Sequence, residues 1–353
     1  MVYPFEHQSD ESIGIYQEAI FAKGRLISKY MAIRYFNEER NWRVSWMCRK
    51  LEVSRAAYYK WLHRNKTALE IENEQIAQLI LEYDEKYKHT LGYRRMRMYI
   101  NAFNHKNYSR RRIQRIMDIL GIKAQIRKQP KRYQRMTPEV TAENLLGRNF
   151  HADNPNETWS TDVTEFKIPG STKKIYLSAI IDLYDRSIIA FEISRRNDNK
   201  LVFDTFQKAV DANPEATPIF HSDRGFQYTS KVFQTKLKDR GMTQSMSRVG
   251  HCIDNGPTEG IWGIIKSELY LLYEIHDEET LINSIIDYIR YYNEERLQER
   301  FNAQTPKQVR EEALQAIKQD KTPVDYPIPE NKRIKKYWDK IASKQDTVIR
   351  AAA

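Results

Sequence analysis

The chain has 353 residues, 41% hydrophobic and 12% aromatic, enough for two or three domains with real cores. No apolar run reaches the length of a membrane span, no N-terminal stretch has signal-peptide layout, and the two cysteines, Cys48 and Cys252, form neither a zinc cluster nor a disulfide framework, so a reducing cytoplasm is the default. The formal net charge of +11 is concentrated, with +12 over residues 91–140 alone; this points to a polyanion, most simply nucleic acid, with an acidic membrane surface as the other candidate.

Residues 1–40 show helical spacing in places, with Ile13, Tyr16 and Ile20 on one face, but too few repeats for a zipper. Within 42–63, Val44, Met47, Cys48 and Leu51 make the apolar face of a first helix. Leu51-Glu52-Val53 is a tight turn, and Ser54 caps a second helix from Arg55 to Leu62 carrying Tyr58, Tyr59, Lys60 and Trp61. This is a helix-turn-helix layout, whose second helix can enter a major groove, with Arg55 and Lys60 as candidate contacts. Glycine is common in such a turn and Glu52 stands there instead; an ordinary helical hairpin is the alternative.

An acidic helix over 68–85 reads as a connector to a second basic helical pair over 91–120. There Ser109 caps a helix that ends at Gly121, with Ile113, Ile116, Met117 and Leu120 as its core stripe. Arg110, Arg111, Arg112 and Arg115 lie largely off that stripe, and Arg94, Arg95 and Arg97 sit on the preceding helix. The same sign continues through Lys123, Arg127, Lys128, Lys131, Arg132 and Arg135. A solvated face would mix signs, so phosphate contacts are the preferred reading. The divisions expected are a helical region over 1–65, a second basic region over 66–135, a linker over 136–154, a catalytic core over 155–310 and a tail over 311–353. The tail has a small basic stretch at 332–340 with Trp338, a further candidate DNA contact.

From Trp159 the hydrophobic period changes from helical to extended. Strands are expected over Trp159 to Ile168, Lys174 to Asp182 and Ser187 to Ile193, the first two separated by Pro169-Gly170-Ser171 and the last two by a turn at Asp185-Arg186. A helix over Asn199 to Ala212, a short strand over Pro218 to Ser222, a helix over Thr229 to Arg240 and a long helix opening at Pro257 follow. The order β-β-β-α-β-α is that of an RNase H-like α/β core: a mixed sheet of three antiparallel strands plus parallel ones, flanked by helices and here preceded by an all-α helix-turn-helix region. It puts Asp162 within the first strand, Asp223 at the end of the fourth, and Glu259 on a helix packed at the sheet edge. On that helix Ile261, Ile264, Ile265, Leu269 and Leu272 form the core face, with Glu259, Trp262, Gly263 and Lys266 opposite.

Three converging carboxylates suit a pair of Mg²⁺ ions, or Mn²⁺ in substitution, since these prefer oxygen ligands and keep waters. Two such ions serve in-line phosphoryl transfer, and their charge offsets the repulsion that raises clustered carboxylate pKa values. Asp182 and Asp185 are set aside as turn residues. His221 could orient water or make a structural bond, and Tyr228 and Trp262 could pack on a base or in the core. Glu268 lies near the site, and Asp254 reads as a cap or turn residue.

The strings Trp159-Ser-Thr-Asp162-Val-Thr164, His221-Ser-Asp223-Arg-Gly225-Phe-Gln-Tyr228-Thr-Ser230 and Asp254-Asn255-Gly-Pro257-Thr-Glu259, with 35 residues between Asp223 and Glu259, resemble retroviral-integrase-like transposases with an Asp-Asp-Glu triad. More narrowly, the chain resembles the second-frame (orfB) catalytic product of the insertion-sequence-three family, with Tyr292-Asn293-Glu294-Glu295-Arg296-Leu297 and Thr305-Pro306 similar to its closing motif. The resemblance covers roughly residues 42–310. It implies a polynucleotidyl transferase acting on the terminal inverted repeats of a mobile element and on target DNA, through a circular intermediate and in a homodimeric or larger synaptic complex. It implies a bacterial, nucleoid-associated enzyme without membrane attachment. Lys266, seven positions after the glutamate, would contact DNA near the reacting end. Gly256, Thr258 and Gly260 stand where relatives often carry Ala, Met and Ser, and Gln298 where His is frequent. The N-terminus lacks the leucine zipper of the family's first-frame (orfA) product, which makes that product a candidate partner. A catalytically silent DNA-binding descendant and an RNase H-like nuclease without strand transfer are the rival readings.

Overall fold

The computed structural model describes residues 25–125, 145–146, 150–247 and 256–327 of the chain. The chain divides into two compact units, Met1–Ile126 and Arg127–Ala353.

In the first unit α1 (Arg25–Arg40), α2 (Val44–Lys50) and α3 (Arg55–Leu62) bury Tyr30, Ile33, Met47, Cys48 and Tyr58 in one small core. The expected turn is present between α2 and α3, and the Ser54 side chain accepts a hydrogen bond from the Ala57 N–H as the N-cap of α3. Glu52 has φ of 53°, the left-handed conformation for which glycine is the usual choice at this turn. The helices α4 (Ala68–Lys86), α5 (Tyr93–Phe103) and α6 (Arg110–Leu120) follow. Thr67 and Glu70 form a capping box that starts α4. Ser109 caps α6, and Gly121 ends it at φ of 71°, both as the sequence predicts.

The second unit is built on a five-stranded sheet in the order β3-β2-β1-β4-β5. Its strands are β1 (Thr158–Lys167), β2 (Lys174–Asp182), β3 (Ile188–Ser194), β4 (Ile219–Ser222) and β5 (Thr243–Met246). β1 pairs antiparallel with β2 and parallel with β4, β2 pairs antiparallel with β3, and β4 runs parallel to β5. The mixed sheet follows the sequence expectation, with one addition: β5 was not anticipated. Its segment, Thr-Gln-Ser-Met, has almost none of the β-branched or aromatic residues that mark strands, and tertiary pairing with β4 makes it one.

Alternate residues of β1 face opposite sides. Trp159 and Val163 enter a core with α7 (Asn199–Ala212), the short α8 (Phe226–Thr229) and α9 (Lys231–Asp239), where Phe206, Phe220, Tyr228 and Phe233 pack edge to face or tilted. Ser160, Asp162 and Phe166 meet α10 (Gly256–Leu272) on the other side. This corrects one expectation. The helix carrying Glu259 lies across β1, the middle strand, and not at the sheet edge. It also packs against α11 (Glu278–Glu294), so Thr258, Trp262, Gly263 and Glu268 are buried together with Ile261, Ile265 and Leu269.

The closing motif clamps these layers together. Asn293 on α11 accepts from the Ile188 N–H and donates to the Ile188 carbonyl, both at 3.0 Å, so a carboxamide pairs with edge strand β3 as a neighbouring strand would. Arg296 forms a two-pronged bond with Glu268, at 2.9 and 3.1 Å, and Glu268 accepts a third from the Tyr288 hydroxyl. Thr305 caps α12 (Pro306–Lys318), with Pro306 in its first turn.

Candidate active site

Asp162 is at the midpoint of β1, with a largely buried carboxylate. Its Oδ1 accepts from the Val163 N–H at 2.7 Å and its Oδ2 from Trp262 Nε1 at 3.1 Å. Asp223 follows the last residue of β4, and its Oδ1 accepts from the Gly225 N–H at 2.9 Å. That bond accounts for the glycine: a Cβ at Gly225 would stand 3.0 Å from Asp223 Oδ1 and 2.9 Å from Gln227 Oε1. Glu259 occupies the first turn of α10. Thr258 beside it is fully buried and shares a 2.7 Å hydrogen bond with Ser160 on β1, which fixes the start of the helix against the strand that carries Asp162.

The three acids act on one another. Burial, then repulsion from Asp223 and more weakly from Glu259, pushes Asp162 up to about 7 despite its two hydrogen bonds. Burial raises Asp223, and burial with repulsion from Asp223 raises Glu259. Among the described residues the largest influences on the three are burial, the other acids, and backbone and indole hydrogen bonds. Arg224, next to Asp223 in sequence, turns its Nε to the Ser247 carbonyl at 2.6 Å. Among the described residues no three His, Cys, Asp or Glu side chains form a ready-made metal ligand group. The arrangement is therefore two largely buried carboxylates and a more exposed third, each pushed toward its neutral form. Oxygen donors of this kind fit Mg²⁺, whose remaining positions are ordinarily filled by water and substrate phosphate oxygens.

The neighbouring residues take definite roles. His221 is fully buried and bonds Ser245 Oγ through Nδ1 at 2.9 Å and Ser247 Oγ through Nε2 at 3.3 Å, a structural tie from β4 to β5. Tyr228 is in the core, with its hydroxyl 3.2 Å from Thr161 Oγ1. Trp262, expected on the face away from the core, is 5% exposed and holds Asp162. A buried indole N–H needs an acceptor, and that requirement was the available signal. Glu268 is taken up by Arg296 and Tyr288, while Asp182 and Asp185 are fully buried and both bond Arg310 of α12 at 2.8 Å. Asp254 lies outside the described residues.

The candidate DNA contacts separate by environment. Arg55 and Lys60 are exposed on α3, Arg94 on α5, and Arg110, Arg111 and Arg115 on α6, whereas Arg95 is half-buried. Arg112 turns inward: it pairs with Glu72 at 2.6 Å, donates to Asn73 Oδ1 at 2.9 Å and lies over the Tyr108 ring. The acidic helix α4 is thus a partner for this arginine as well as a connector. Lys266 places its Nζ 5.5 Å from the Phe166 ring centre, beside an open cleft of about 410 Å³ lined by Glu165, Lys167, Pro169 and Tyr270. Arg127, Lys128, Lys131 and Arg132, and the tail with Trp338, lie outside the described residues.

Comparison with known proteins bears on this geometry. The integrase core domain family matches residues 152–252, a second integrase core domain description matches 259–314, and an HTH-like domain matches 70–130. The last spans α4 to α6, downstream of the pair at 42–63 read as a helix-turn-helix from sequence. The chain is 35% identical over 263 residues to the putative transposase InsK for insertion sequence element IS150 of Escherichia coli (strain K12), covering 74% of this chain and 90% of that protein. It is 28% identical over 265 residues to the transposase InsF for insertion sequence IS3A of the same organism, covering 73% and 88%. Among solved structures, it overlaps the HTLV-2 integrase catalytic core domain in complex with magnesium at 22% identity, covering 44% of this chain and 96% of that one, with a TM-score of 0.35. Fold, domain matches and relatives define a transposase with an integrase-type catalytic core, an enzyme of the polynucleotidyl transferase class. The chain belongs to the insertion-sequence-three family of transposases, alongside the IS150-type proteins.

Proposed function

We propose that the protein binds the ends of an insertion sequence and carries out divalent-metal-dependent 3′-end cleavage and strand transfer, with Asp162, Asp223 and Glu259 as its catalytic and metal-holding residues. The observation that carries this reading is that β1, the end of β4 and α10 bring three carboxylates close enough for Asp223 to act on both Asp162 and Glu259. Two Mg²⁺ ions, or Mn²⁺, would be held by these three acids; when bound they supply charge that favours the attacking oxygen and the leaving oxygen of an in-line displacement.

The chain's own contribution is position. Trp262 and the Val163 N–H fix both oxygens of Asp162, the Gly225 N–H fixes one oxygen of Asp223, and the Thr258–Ser160 bond sets where α10 begins. Water attacks a phosphodiester at the element end and frees a 3′-OH. That 3′-OH then attacks a second phosphodiester, exchanging one for another, first end to end in a circular intermediate and then into target DNA. Lys266 guides the reacting end. Arg55, Lys60, Arg94, Arg95, Arg110, Arg111, Arg115, Arg127, Lys128, Lys131 and Arg132 contribute phosphate contacts, which fix position and affinity rather than sequence choice. Arg112 contributes by ordering α6 against α4. The work is done in the bacterial cytoplasm on the nucleoid, by a homodimer or larger complex, with an orfA product as a further partner.

The test is strand transfer with oligonucleotide ends. Asp162→Asn, Asp223→Asn and Glu259→Gln are each expected to abolish cleavage while DNA binding persists. Normal cleavage by any one of them sinks the triad assignment. Hydrolysis without joining, when a 3′-OH donor is supplied, would make the protein a nuclease.

A further inference from the structure

The first helix of the pair at 42–63 carries a feature that the phosphate-contact reading leaves unused. Trp42 and Trp46 are 45% and 47% exposed, although large aromatic side chains are normally among the more buried residues. Both are held in place. The Trp42 N–H donates to the Phe36 carbonyl at 3.2 Å, its carbonyl accepts from Asn37 Nδ2 at 2.8 Å, and its indole stacks on the Phe36 ring at 4.8 Å and 13°. Trp46 meets Trp42 edge to face at 5.6 Å and 87°. The two indoles form a right-angled corner whose concavity, about 580 Å³, is lined further by Asn41, Arg43, Ser45 and Arg49. The lining has two guanidinium groups and no acid, and Lys50 adds a third exposed cation one residue on.

We infer that this corner is a binding site for unpaired nucleotides of the DNA substrate, with a base stacked on the indoles and the flanking phosphates held by Arg43 and Arg49. The inference rests on the DNA-processing reading above and adds a class of ligand to it. Charge complementarity selects a polyanion, and the flat apolar faces select one that also offers a free π surface. Duplex DNA has its base faces stacked internally and offers only edges and phosphates. Unpaired bases offer their faces.

The experiment uses the full chain and three fluorescent DNAs: a blunt duplex carrying the element end, the same duplex with a six-nucleotide thymidine overhang, and a thymidine oligomer. The overhang is expected to bind about tenfold tighter than the blunt duplex. Trp46→Ala and Arg49→Ala are each expected to remove most of that gain and leave blunt-duplex affinity unchanged. Trp46→Phe, which keeps a ring, should retain part of it, and equal melting temperatures exclude unfolding as the cause. With 5-iodouracil in the overhang, photocrosslinking should map to Trp42 or Trp46. Equal affinity for overhang and blunt duplex, or a gain that survives both alanine substitutions, overturns the inference. So does loss of self-association in Trp46→Ala with unchanged overhang binding, which would make the corner a protein contact. If the wild-type chain binds none of the three DNAs, the DNA-processing reading fails instead.

Discussion

At the scale of single residues, the informative contact is the one between Trp262 and Asp162. Trp262→Phe keeps the ring and most of the packing but removes the N–H that holds Oδ2. Losing an outer hydrogen bond to a metal-holding carboxylate ordinarily costs about 10- to 100-fold in metal affinity or rate. The expected outcome is a fall in the rate of end cleavage of that order, with a higher Mn²⁺ concentration needed for half-maximal rate and a nearly unchanged melting temperature. A wild-type Mn²⁺ dependence would show that the bond only fills space. Glu70 gives a pH test of a different kind. Its hydrogen bonds to Arg64, and to the backbone and side chain of Thr67, pull it down to about 2 from an ordinary 4.5. A depressed carboxylate contributes stability that is present above the unfolded value and lost as pH falls through the folded one. Protection from hydrogen exchange in the first turn of α4, taken relative to the intrinsic rate at each pH, should therefore fall between about pH 4.5 and pH 2, and Glu70→Gln should flatten that fall. The sequence could place Asp162 in a strand, Asp223 at a strand end and Glu259 at a helix start, because strand alternation and helix-start chemistry are local signals. It named Trp262 but could not pair it with Asp162, since a helix flanked by β1 on one side and α11 on another has no single outer face for a one-stripe pattern to detect.

At the scale of elements, two backbone positions separate local preference from tertiary demand. Gly260 is exposed in the first turns of α10, and a Cβ there meets no described atom within 4 Å. Gly260→Ala should stabilise the unit by about 1 kcal/mol, read as a higher midpoint in chemical denaturation. Glu52 presents the opposite case. It holds a left-handed conformation that costs an L-residue about 1–2 kcal/mol, partly offset by the lower entropy of its unfolded chain. Glu52→Gly is expected to gain up to about 1 kcal/mol in the same assay, and a loss would mean that the Glu52 side chain makes an energetically important contact. These positions also explain what could be read in advance. Capped helices such as α6 and the alternating strands β1 to β3 announce themselves through local chemistry. β5 does not, because its register is imposed by β4 and its buried Ser245 is satisfied by His221 and the Leu145 N–H.

At the scale of the whole second unit, the Arg310 clasp joins parts distant in sequence. Arg310 bonds Asp182, Asp185, Asn156 and Asn213, and so fastens α12 to the β2–β3 turn, to the segment before β1 and to the end of α7. Burial and mutual repulsion push Asp182 up, with the guanidinium opposing them. Removing a partner from a buried charge cluster costs about 3–5 kcal/mol. Arg310→Met should therefore lower the melting temperature by roughly 6–20 °C, at about 2–4 °C per kcal/mol for a unit of this size. Adding Asp182→Asn and Asp185→Asn to that variant should recover a large part of the loss, because the uncompensated charge is then gone; no recovery would place the cost in packing around Phe301, Val309 and Ala313 instead. The same clasp sets an order of events during synthesis. Asp182 and Asp185 leave the ribosome 128 and 125 residues ahead of the arginine that neutralises them. Until that arginine emerges, closing the core over those carboxyls carries the cost that Arg310→Met measures. Products that end before residue 310 should accordingly be more sensitive to proteases than the full chain, which limited proteolysis of a chain cut back to residue 305 would show.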